Sequence, residues 1–133
     1  MTALVVWLRA DPRRAFALDG AGALVSALVL GLALPPFEHA LGASRPALLS
    51  LAAVPVVFAF YDLACWAARP RRWRAAMRAI AIANLTYPVL SAATLWGDGV
   101  ALTGLGATYF VLESAVLWAI AALELFVAKP EAA

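Results

Sequence analysis

Reactive side chains are scarce in this sequence: 133 residues contain one cysteine, one histidine and only 14% charged residues. Cys65 alone cannot close an internal disulfide, form a Cys-x-x-Cys redox pair or build a zinc cage, and reads as a small apolar residue. His39 alone cannot supply paired haem ligands or the two Glu-x-x-His motifs of a di-metal bundle. The chain has no P-loop, dinucleotide glycine fingerprint, nucleophile elbow or His-Glu-x-x-His motif. No metal and no cofactor are therefore expected. The net charge of +2 is small and comes from arginines gathered in a few places, which argues against nucleic acid as a partner.

Apolar sequence is abundant. The chain is 65% hydrophobic with a mean hydropathy of +0.89, well outside the range of water-soluble domains. A helix needs roughly 20 apolar residues to cross the hydrocarbon layer, and four segments meet that length, at about 16–34, 46–68, 75–96 and 100–128. Pro35 and Pro36 stop the first, and Pro46 suits the first turn of the second. Residues 1–15, with Trp7 among alternating charges, read as a short interfacial segment. The following apolar stretch is too long for a signal peptide and lacks a cleavage site, so it is expected to be retained.

The expected fold is all-α: a polytopic membrane protein made of one four-helix bundle over 1–133. Arg9, Arg13 and Arg14 precede the first span, and Arg69, Arg71, Arg72, Arg74 and Arg78 surround the second connection. The positive-inside rule places both groups, and both termini, in the cytoplasm. Abundant alanine and arginine with scarce lysine suggest a bacterial source, hence the inner membrane. Trp66, Trp73 and Trp96 fall near span ends, as interfacial anchors do. Glycines 20, 22, 104 and 106 are placed to let helices approach closely, within or between bundles.

Polar residues inside spans must find a protein partner, a water-filled cavity or a neutral protonation state. Asp19 and Ser26 share one face of the first span. Asp62 and Pro55 share one face of the second. Asn84, Tyr87 and Ser91 follow a three-four spacing on the third, and Tyr109, Glu113 and Glu124 form a stripe on the fourth. Asp19 and Glu124 are expected near the helix ends, where charge costs little. Asp62 and Glu113 lie deeper, where an acid costs roughly 2.5–3.5 kcal/mol to insert. A salt bridge to Arg78 would explain Asp62, and hydrogen bonds to Asn84, Tyr87 or Tyr109 would explain Glu113. Glu38 and His39 offer a weaker proton-handling pair on the opposite loop.

Three function classes fit. The first is binding, and conversion by acid-base chemistry, of a small hydrophobic or lipid-like ligand, as in an isomerase or cyclase. Here Glu113 and Asp62 are the candidate catalytic groups, and Asn84, Tyr87, Tyr109, Ser91 and Asp19 the ligand-binding ones. The second is an accessory or scaffold subunit whose polar residues hold helices or a membrane partner. The third is a small proton- or cation-coupled transporter that works as a dimer or larger homo-oligomer.

Overall fold

The computed structural model describes residues 2–130; Met1 and residues 131–133 of the expected single domain lie outside it. The chain is all-helical, with no strand among the described residues. Its elements are α1 (Ala3–Ala10), α2 (Arg13–Leu28, continued by a π-helical turn Val29–Ala33), a 3-10 turn Pro35–Phe37, α3 (Glu38–Leu41), α4 (Arg45–Ala68), α5 (Trp73–Gly97) and α6 (Gly104–Val127). Four helices, at Arg13–Ala33, Arg45–Ala68, Trp73–Gly97 and Gly104–Val127, are long and apolar enough to cross a membrane.

The expected spans match these helices to within four residues, and local chemistry explains the small differences. α2 starts three residues early because Pro12 occupies its N-cap and leads directly into the helix. α4 begins behind Ser44, whose hydroxyl accepts from the Ala47 amide at 3.3 Å. Glu38 adds a second cap by accepting from the Arg45 amide at 2.8 Å, so its carboxylate serves the helix start at this end. α6 begins four residues late, at a Thr103 cap that accepts from Gly106 at 3.1 Å. Asp98 ties the first and third connections between spans together by accepting from the Ser44 amide at 2.7 Å and from its hydroxyl.

The spans pack as two pairs, α2 against α4 and α5 against α6, joined mainly through α4 and α5. α2 and α6 scarcely touch. Close approach depends on two of the four singled-out glycines. A Cβ on Gly20 would sit 3.1 Å from the Asp62 Cβ, and one on Gly106 would sit 2.0 Å from the Leu41 carbonyl oxygen. Gly22 and Gly104 face open space.

Both described termini lie at the arginine-bearing end. Arg9 donates to the Phe126 carbonyl at 2.7 Å and Arg78 to the Ala128 carbonyl at 3.2 Å, so two cations satisfy the unpaired last carbonyls of α6. The interfacial segment is more than a surface helix. Val5 and Leu8 of α1 are buried with Phe16, Met77, Ile80 and Val127, closing this end of the bundle. At the far end a second apolar layer contains Leu30, Leu48, Leu51 and Phe110.

Candidate functional site

Each span contributes one polar residue to a buried cluster near the arginine-bearing end: Asp19 from α2, Asp62 from α4, Asn84 from α5 and Glu124 from α6. Their exposures are 5%, 0%, 1% and 4%. The Asn84 side-chain amide donates to both oxygens of Asp19, at 3.2 and 3.1 Å, and to Glu124 Oε2 at 3.3 Å. Asp19 and Glu124 are thus not the inexpensive end charges that their sequence positions suggest. α1 folds back over the helix ends, and its Leu8 lines a small space of about 150 Å³ with both acids.

Asp62 packs against α2 at Gly20, the residue after Asp19. Neither Asp62 oxygen has a hydrogen-bond partner among the described residues. The salt bridge to Arg78 does not form, because that guanidinium turns outward to the end of α6.

Where α2 and α6 part, a cavity of about 300 Å³ opens. Asp19, Gly22 and Ser26 of α2 form one wall, and Tyr109, Glu113 and Val116 of α6 the other, with Asn84, Tyr87, Pro55 and Phe58 as its back. Val25, Leu112 and Val116 at its rim are exposed on the apolar outer surface. Glu113 therefore lies at mid-length of its helix on a cavity wall. The Tyr109 hydroxyl is 3.5 Å from its Oε1, one turn away, and Ser26 faces it from α2. Of the three donors expected for Glu113, Asn84 and Tyr87 are engaged elsewhere.

Tyr87 has a structural task. Pro55 has no amide hydrogen, which would leave the Leu51 carbonyl unpaired inside α4. The Tyr87 hydroxyl donates to that carbonyl at 3.0 Å. Its ring still lines the cavity, edge-on to Phe58 at 6.0 Å between centroids.

Five of the seven candidate residues thus meet at this cavity: Asp19, Asn84, Tyr87, Tyr109 and Glu113. Asp62 sits behind Asp19 without reaching the cavity wall. Ser91 lines a separate space toward the far end, with Pro88, Leu95 and Phe110. Glu124 and Ser26 join the site although neither was a candidate. The eleven-residue spacing from Glu113 to Glu124 and the seven-residue spacing from Asp19 to Ser26 are the signals that point to them. No group of three or more histidine, cysteine or acidic side chains among the described residues has the geometry to hold a metal ion. No protein-family model, curated protein or solved structure matches the chain.

Proposed function

We propose that this protein binds a small hydrophobic or lipid-like molecule that enters from the bilayer between α2 and α6 and presents a polar group to Glu113, Tyr109 and Asn84. The carrying observation is the cavity itself: about 300 Å³, apolar at its rim, with an under-bonded carboxyl at mid-depth. A carboxyl in a dry pocket can protonate one end of a carbon–carbon double bond and, as the resulting carboxylate, take a proton from the carbon attached to the other end, which shifts the double bond by one position without a cofactor. Glu113 fills that role in this reading, with Asp19 and Asp62 as the adjoining acid pair. The setting proposed is the bacterial inner membrane with both termini cytoplasmic, supported by the arginines at one end, and self-association is part of the same proposal.

The scaffold reading has its own support in the mutual bonding of Asp19, Asn84 and Glu124, which holds α2, α5 and α6 together. Transport is less favoured, because the apolar layer around Leu30, Leu48 and Leu51 interrupts any polar track toward the far end.

The test is purification in mild detergent followed by mass spectrometry of co-purifying small molecules, comparing wild type with Glu113→Gln and Gly22→Phe. A Cβ on Gly22 meets nothing within 4 Å, so the phenylalanine ring can occupy the cavity. One compound class is expected in the wild type and is lost in both variants. A wild type that retains nothing, or equal retention in all three proteins, overturns the proposal.

A further inference from the structure

A different face of the bundle carries a second site. On the outer side of the α2–α4 pair runs an apolar groove of about 410 Å³, with Phe16, Ala17 and Ala21 on one bank and Phe60, Leu63 and Trp66 on the other. On α4 the groove extends from Val56 to Trp66, which at 1.5 Å per residue is about 15 Å, the depth of one leaflet of a hydrocarbon layer about 30 Å thick.

At its arginine-bearing end the groove meets a pocket of about 240 Å³ that includes Asp11, Arg13, Arg69 and Trp73, with Phe16 common to both. Arg13 joins the two. Its guanidinium carbon lies 4.5 Å from the Trp66 ring centre, and its Nε donates to the Trp66 carbonyl at 2.9 Å. Asp11 directs an oxygen to the Arg13 amide at 3.1 Å, so part of its charge is engaged by backbone.

Arg69 is the second observation. It ends α4 with a left-handed backbone, φ 48°, where glycine is the favoured residue. Its side chain lines the pocket and has no hydrogen bond or ion pair with the described residues. The left-handed residue caps α4, and its exposed guanidinium stands without a partner among the described residues at the end of a leaflet-deep apolar groove.

We infer that this groove and pocket form a binding site for an anionic phospholipid of the arginine-side leaflet, its acyl chain along α2 and α4 and its phosphate between Arg13 and Arg69. Charge complementarity selects the head group, and the continuous groove selects a lipid over free phosphate.

The experiment uses full-length protein, delipidated in mild detergent, with thermal unfolding followed against added phosphatidylglycerol, phosphatidylcholine or inorganic phosphate. Two arginines near the head group correspond to roughly thirtyfold tighter binding of phosphatidylglycerol than of phosphatidylcholine. Arg69→Gly cuts that preference to roughly fivefold. The same variant relieves backbone strain, so it melts higher than wild type without lipid and gains less with it. Ala21→Phe, filling the groove from an exposed position, weakens both phospholipids while keeping the charge preference. Equal response to the two lipids, equal stabilisation by inorganic phosphate, or an unaltered preference in Arg69→Gly overturns the site. So does an Ala21→Phe variant that changes only oligomeric state, which assigns the groove to a second copy of the chain.

Discussion

The bundle interior has two polar regions built from the same residue types to different ends. Around Asn84, an amide with two hydrogens is shared between Asp19 and Glu124, and three helices are joined through one side chain. Around Glu113, two neighbouring helices part, a cavity remains, and the carboxyl has a distant tyrosine hydroxyl with Ser26 across the gap. A polar group satisfied by the fold cannot be withdrawn without weakening it, whereas one the fold leaves under-bonded is available to something else. Cost to stability on removal is thus the property that separates the two regions.

The largest effect is expected from Asn84→Leu, which removes both amide hydrogens from a buried acid cluster. A loss of about 3 kcal/mol is expected in denaturant unfolding in detergent micelles. A loss below about 0.5 kcal/mol would erase the distinction between the regions. Next comes Tyr87→Phe, which returns the Leu51 carbonyl to its unpaired state at a cost of about 1–2 kcal/mol. Ligand retention should persist, because the ring that lines the cavity remains. Asp62→Asn should act in the opposite direction. It places an amide beside Asp19 where the native side chain has no donor, and a gain of about 0.5–1 kcal/mol is expected by the same unfolding measurement. A large loss instead would show that Asp62 already has a bonded partner. Glu113→Gln is the smallest, within about 0.5 kcal/mol of wild type in stability, since little in the fold depends on it. Its effect belongs to ligand retention alone.

The spans were readable because their signals are local. Hydropathy marks their extent, Pro35 and Pro36 end the first, and Pro46 sits in the first turn of the second, whereas the Thr103 cap starts the fourth four residues later than hydropathy alone suggests. The stripe rule also correctly brought Asp19, Asn84, Tyr87, Tyr109 and Glu113 toward one interior, since helical spacing fixes a face. Three features were not readable. The burial of Asp19 and Glu124 depends on α1 folding back, a contact between sequence-distant segments of the chain. The partner of Tyr87 is a backbone carbonyl exposed by Pro55, and backbone atoms leave no sequence signature. Nor could composition show which helices separate, because cavity rims and lipid-facing surfaces use the same leucines and valines.

The position of α1 also bears on the order in which the molecule is completed. Arg9 reaches a carbonyl 117 residues further along the chain, and Leu8 packs against Val127, so α1 completes its contacts only once α6 is in place. During synthesis this end of the α2–α6 cleft therefore stays uncapped until α6 has been made. On the proposed reading α1 closes only that end, and the opening between α2 and α6 at mid-depth stays available to a bilayer-soluble compound afterwards.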